Sequence, residues 1–357
     1  MSRAARSQRV FFFEEPILQA DAQPHLHLKT ESSGVVVVTP IVPEFGYEAA
    51  LVDRFIGDHA PGRRTLWYYT PMMRPATAHL SADVIAYDCM DELSAFRGAP
   101  PELRAREAEL LEAADVVFTG GQSLYEAKRG AHRNVRRFPS SVDVEHFARA
   151  RARGQTDPAG QASLPGPRLG FFGVIDERFD ADLLARMADL RPGWSFVMIG
   201  PVVKIDPATL PQQANIHWLG GRSYQELPAY LANWDIGLMP FALNEATRYI
   251  SPTKTPEFLA AGLPVVSSAI TDVVRPYGQR GLVEIATTAE SFVAAAQHLL
   301  TRPREAWLAK VDGFLANLSW DRTWAAMHAE IRKVDRRRRR SARLRDSVRA
   351  EVSHAGI

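Results

Sequence analysis

The chain has 357 residues, 46% hydrophobic and 24% charged, with a net charge of +2 and one cysteine, Cys89. That length allows two domains, that composition excludes a disordered or collagen-like chain, and a lone cysteine excludes an internal disulfide and suits a reducing cytosol. No apolar run approaches the roughly 20 residues that span a bilayer, and residues 10–13 are too short for a signal-peptide core, so a cytoplasmic protein is expected. Charge is uneven: residues 332–349 carry +8, which leaves −6 for the rest.

Taken in order, residues 9–16 (RVFFFEEP) read as a short first strand ending in a polar loop. Residues 34–40, 65–71, 84–87 and 115–119 are further apolar runs, separated by helical stretches such as 102–113. Short apolar runs alternating with helices predict a parallel sheet covered on both faces. Residues 135–143 close this half, which is bounded at 1–150. Residues 151–167 are rich in Pro, Gly and polar residues and read as an interdomain linker.

The pattern restarts at residue 168 and runs to 312. Strands are expected at 168–173, 195–200, 216–220 and 234–240, with helices at 182–190, 224–232 and 289–300. In the unit 313–331, residues 319–331 form a capped amphipathic helix whose Trp320, Trp324 and Met327 are packing residues. The basic residues 332–357 read as a disordered tail.

Residues 244–268 organise the chain. Ser251-Pro252 and Thr255-Pro256 each offer an N-cap followed by a proline, residues 257–261 form a short helix, and Gly262 and Pro264 end it. Val265 and Val266 open a buried strand. Proline deep in a helix forfeits a hydrogen bond, so residues 251–255 are expected as an irregular first turn with free N–H groups. Such a turn, with Lys254 beside it, is a ready site for a diphosphate, and Glu257 could accept from sugar or ribose hydroxyls. A surface helix end with a solvated lysine fits equally well.

Residues 251–266 (SPTKTPEFLAAGLPVV) resemble the donor-binding segment of the retaining glycosyltransferases of family 4, the glycosyl transferases group 1 proteins. The resemblance, which covers roughly residues 9–331, implies the GT-B fold: an α/β protein of two Rossmann-like doubly wound domains facing across a cleft. The first domain would take the acceptor and the second the nucleotide-sugar, with the last helix crossing back onto the first. It implies a ribose contact at Glu257, phosphate and sugar contacts just before it, retention of configuration and no catalytic metal. Two departures stand out: Tyr249 occupies the place of a frequent family glutamate, and Glu14-Glu15-Pro16 replaces a glycine-rich first loop. Residues 66–96 and 118–128 look like the acceptor domain of one bacterial branch.

Around that segment, Gly173 permits close backbone approach and Arg178 could neutralise a phosphate by a forked contact. Arg178 with Lys254 would then replace the Arg–Lys pair of related transferases; otherwise Arg178 is an ion-pair partner. Lys204 sits at another strand exit. Asn244, Thr247, Ser251 and Thr253 are candidate sugar or phosphate contacts. Asp88 and Asp91 follow a strand and read either as a helix-capping pair or, for Asp91, as an acceptor-orienting carboxylate. Without an Asp-X-Asp pair or a nearby histidine, no metal is expected there. Gly120, Gly121 and Ser123 form an anion cradle or a tight turn. The expected catalytic set is Asp91, Lys254 and Arg178. The donor set is Gly173, Asn244, Thr247, Ser251, Thr253, Lys254 and Glu257.

The expected reaction moves a hexose from a nucleotide diphosphate sugar to a hydroxyl of a glycan or lipid-linked glycan in bacterial surface polysaccharide synthesis, with no cofactor. A sugar-nucleotide 2-epimerase and a non-catalytic assembly subunit are the alternatives. The basic residues 332–349 could hold the protein at an anionic membrane or remain solvated; nucleic acid is not expected.

Overall fold

The computed structural model describes residues 1–152 and 154–354, with backbone alone for residue 346 and residues 348–354. It has two α/β halves, each built on parallel β-strands with connecting helices.

The first half holds β1 (Phe11–Phe13), β2 (Ile17–Leu18), β3 (His25–Thr30), β4 (Val36–Val42), β5 (Thr65–Tyr68), β6 (Val84–Cys89), β7 (Val116–Thr119) and β8 (Val135–Arg137). β1 and β2 pair parallel with β4, and β3 pairs antiparallel with it. β5 to β8 form a separate parallel sheet in sequential order. The first half therefore carries two sheets where the alternating pattern predicts one.

The second half holds β9 (Arg168–Phe172), β10 (Ser195–Ile199), β11 (Ile216–Gly220), β12 (Ile236–Met239), β13 (Val265–Ser267) and β14 (Glu284–Ile285). They make one parallel sheet in the order β11-β10-β9-β12-β13-β14, the strand order of dinucleotide-binding folds. These strands are continuous apolar runs because helices cover both faces; β10, β12 and β13 are buried at every position.

The boundary between halves differs from the expected one. Val142, Phe147 and Ala150 belong to the core of the second half, and Gln161 is buried with its amide oxygen accepting from Trp234 Nε1 at 2.9 Å. Residues 142–150 and much of the expected linker are thus packed onto the second domain. Gln161 and Trp234 hold this polar-rich stretch down, which composition alone does not reveal. Arg153 lies outside the described residues.

The final helix runs Trp320–His354. Ser319 Oγ accepts from the Arg322 amide at 3.1 Å to cap it. Met327, Ile331 and Val334 pack with Val84, Ala86, Val116 and Phe118 of the first half, and Trp324 lies against Trp67, ring centroids 5.9 Å apart. The helix continues through the basic stretch that reads as a disordered tail. Arginine and alanine propagate a helix that is already nucleated, and Arg338 pairs with Asp115 at 2.6 Å. Residues 355–357 of that stretch lie outside the described residues.

Candidate functional site in the interdomain cleft

Parallel sheets present their ligand-binding loops at the carboxyl ends of their strands, and the loops after β6, β9, β10 and β12 meet here. After β9, Gly173 adopts φ +131°, and a Cβ built there would lie 2.1 Å from Lys254 Cε and 2.5 Å from its Nζ. Only a glycine lets the Lys254 side chain lie along this backbone. The Lys254 ammonium is 5.5 Å above the Phe171 ring. Burial pushes its pKa down, Glu257 opposes that, and Arg178 adds to the lowering.

Arg178 lies at the same mouth. Its guanidinium forks onto Asp176, with Nε at 2.9 and 3.1 Å and Nη2 at 2.6 Å from the carboxylate oxygens. It also stacks on Phe96 of the first half at 5.2 Å. Arg178 is therefore already ion-paired, the second of the two roles open for it, yet its partner fixes its plane in the cleft. Lys204, exposed and at φ 62°, faces the same Phe96 ring at 5.5 Å. A left-handed lysine is a strained conformation of the kind that collects at ligand sites.

The acidic members complete the cluster. Burial pushes Asp91 up to about 6, while the charges of Arg178 and Lys254 restrain it. Burial likewise pushes Glu257 up to about 7, with Lys254 opposing. The structure thus gathers Asp91 from the first half with Arg178, Lys254 and Glu257 from the second. Asp88 points elsewhere: it is buried, accepts from Trp67 Nε1 at 3.2 Å, and is pushed up to about 7 by that burial. The helix-capping reading of Asp88 and Asp91 does not hold, because the short turn Leu93–Ala95 starts at Glu92 with no side-chain cap.

The central helix is Lys254–Ala260, two residues earlier than Pro256 at its first position would place it, with Thr253 at the N-cap and no side-chain cap. Neither Ser251 nor Thr255 caps it. Pro256 falls in the first turn, where its missing N–H costs nothing. Gly262 closes the helix at φ 77°. Thr253 is exposed, while the Ser251 carbonyl accepts from Ser140 Oγ at 3.4 Å across the halves.

Asn244 and Thr247 are committed to the loop. Asn244 Oδ1 accepts from the Thr247 amide at 3.1 Å, and its Nδ2 donates to Glu177 O at 3.0 Å. Thr247 is buried, takes the Asn244 amide on its hydroxyl oxygen at 3.0 Å, and donates back to the loop carbonyls of Ala242 and Asn244. Their spacing is that of a capping box, and this leaves them shaping the loop that leads to Lys254.

Three features went unread in the sequence. Lys128 is buried between Glu92 at 2.8 Å and Glu107 at 2.7 Å, and Glu107 also accepts from Tyr87 at 2.9 Å. This network anchors the Asp91 loop to the helices behind it. Asp272 Oδ1 accepts from the Ser123 amide at 3.0 Å, so the cradle at Gly121 and Ser123 holds an anion supplied by the opposite half. A Cβ at Gly121 would sit 1.9 Å from Asp272 Oδ2. Tyr249 packs against the core of the first half that includes Tyr68, Tyr87 and Leu110. Among the described residues no group of three His, Cys, Asp or Glu could hold a metal ion, and no helix is long and apolar enough to cross a membrane.

A cleft between two Rossmann-like domains, with cations and a glycine-relieved backbone on one side and a carboxylate on the other, is the plan of GT-B proteins. Residues 166–302, which make up most of the second domain, match the family described as glycosyl transferases group 1. A Bacillus subtilis protein named as a teichuronic acid biosynthesis glycosyltransferase is 29% identical over 238 residues, 61% of this chain and 59% of that protein, so the match spans about three-fifths of that relative's length. A sucrose-phosphate synthase from Thermosynechococcus elongatus superposes with TM-score 0.67 at 15% identity, covering 93% of this chain and 90% of the other. An E. coli trehalose-6-phosphate protein bound with UDP-2-fluoro glucose gives 0.66 at 11% identity, covering 93% and 94%.

Proposed function

We propose that this protein transfers a hexose from a nucleotide diphosphate sugar to a hydroxyl of a glycan or lipid-linked glycan acceptor, in the synthesis of a bacterial surface polysaccharide. The observation that carries the reading is the meeting of Lys254 and Arg178 with Asp91 across the cleft, beside the Gly173 backbone. As the bond from the anomeric carbon to the phosphate oxygen breaks, negative charge grows on the leaving diphosphate. Lys254, Arg178 and the uncapped N–H groups before the Lys254–Ala260 helix are fixed where they stabilise that charge without reorganising. The acceptor oxygen attacks the anomeric carbon. Its proton passes to the departing phosphate in the retaining course that the family implies, and Asp91 orients the hydroxyl. Closure of the halves excludes water, which would otherwise compete as acceptor.

The test is glycan output in cells carrying Lys254→Ala or Glu257→Ala, alongside product analysis of the purified protein. Loss of the glycan in both variants, with no sugar-nucleotide converted in the absence of acceptor, supports transfer. Conversion of the nucleotide sugar alone indicates an epimerase instead. Unchanged glycan in both variants contradicts catalysis and leaves an assembly subunit.

A further inference from the structure

Beyond the cleft, a cavity of about 920 Å³ lies inside the first half between the two sheets. Its long walls are the outer edges of β1 and β5, with Phe11 to Phe13 on one side and Thr65 to Tyr69 on the other. Both strands end their sheets at this point, and neither pairs with the other. One end of the cavity is closed by Trp324, His328 and Ile331 of the final helix, and another by Val52 and Ile56.

The second half shows what such a place is for. There β9 lies between β10 and β12, parallel to both. The chain runs from β9 through the helix Ala181–Leu190 into β10, and from β11 through a helix into β12. The first half repeats the later part of this path. Helix Ser2–Ala5 leads into β1, β1 pairs parallel with β4, and β4 leads through the helix Glu48–His59 to β5. The spacing agrees too: the helix ending at Leu190 precedes Ser195 much as the one ending at Ala5 precedes Phe11. β1 thus corresponds to β10, β4 to β11 and β5 to β12. The place of β9 is the cavity.

Burial follows the same correspondence. β10 and β12 are buried at every residue, whereas Phe11, Phe12, Phe13, Leu66 and Trp67 are only half-buried. A wall of aromatic side chains between two unpaired strand edges is costly in water and is a template for a further strand. On this correspondence the strand Phe11–Phe13 takes the position of a second strand in a doubly wound domain.

We infer that the cavity seats one further parallel β-strand, apolar on both faces, that enters through a helix ending in Ser2–Ala5. The path is a right-handed crossover of the same kind as β9 to β10, the hand that nearly all such units take. The occupant is therefore polypeptide continuous with Ser2, of about the size of residues 168–190. Its strand would pair with β1 and β5 and join the two sheets into one. A strand parallel to β5 delivers its following loop to the carboxyl edge of the sheet, beside the Asp91 loop. The seat stands on sheet geometry and not on donor chemistry.

The test has two parts. The protein is isolated from its own cells, and its amino-terminal peptides and intact mass are read by mass spectrometry. A chain extended ahead of Met1 by a strand and a helix is expected; a native chain starting at Met1 overturns the inference. Hydrogen exchange is then compared between that native protein and the 357-residue chain. Amides of β1 and β5 should exchange at least tenfold faster in the 357-residue chain, while those of β10 and β12 do not change. Equal protection of β5 in both proteins overturns the seat. Donor binding by the second half is unaffected in either case, so failure here is distinct from failure of the transferase reading.

Discussion

Replacing Gly173 with alanine should separate donor binding from folding. The new Cβ would lie 2.1 Å from Lys254 Cε where ordinary contact begins at 3.4 Å, so the end of Lys254 must retreat by about 1.3 Å. The backbone at φ +131° adds strain that a Cβ-bearing residue must carry, about 1–3 kcal/mol. For a domain of this size that lowers Tm by roughly 2–4 °C per kcal/mol, leaving a folded protein. A charge misplaced by about 1 Å costs on the order of 10²-fold in rate. Calorimetry should therefore report modest destabilisation, and titration with the sugar nucleotide a large loss of affinity. Lys254→Ala in the same background removes the atoms that meet the new Cβ but cannot restore binding, and the two changes should be strongly non-additive in affinity. A Gly173→Ala protein that binds donor like wild type would refute the role given to the Lys254 position.

Three further outcomes are expected. Arg178→Met strips the forked partner from buried Asp176, and because the arginine is partly exposed the cost in unfolding experiments should be near the low end of a broken buried pair, about 2–3 kcal/mol; no measurable change would mean the pair is incidental. Glu257 and Asp91 sit above ordinary carboxylates, at about 7 and about 6, so the folded protein holds protons that the unfolded chain has released. Stability without ligand should fall as pH rises from 5 to 8, through both values, and Glu257→Gln should flatten the upper part of that slope in thermal scans; an unchanged profile would contradict the burial of Glu257. Lys128→Met leaves Glu92 and Glu107 facing each other without their cation, and denaturant titration should show a loss of about 3–5 kcal/mol, whereas a neutral result would remove the network as the anchor of the Asp91 loop.

Much of the second half was legible because its strands are buried on both faces, so that each appears as an unbroken apolar run. The segment 251–266 was legible for the same reason, together with its glycine stop. The capping box of Asn244 and Thr247 was within reach from their three-residue spacing, but polar residues in a cleft loop look alike in sequence whether they face ligand or backbone. The ion pair of Arg178 was within reach, since Asp176 stands two residues away. The division of the first sheet was not, because strand pairing between residues fifty apart leaves no local trace. The basic stretch reads as disorder by charge and as helix by propensity, and a nucleated helix packed on the first half decides between them.

The most direct measurement is a thermal-shift panel of UDP, GDP, ADP and dTDP sugars on the wild type and Lys254→Ala. Stabilisation by one nucleotide class, lost in the variant, is the predicted result. No shift with any donor, with acceptor glycan both present and absent, would contradict a nucleotide-sugar site at Lys254.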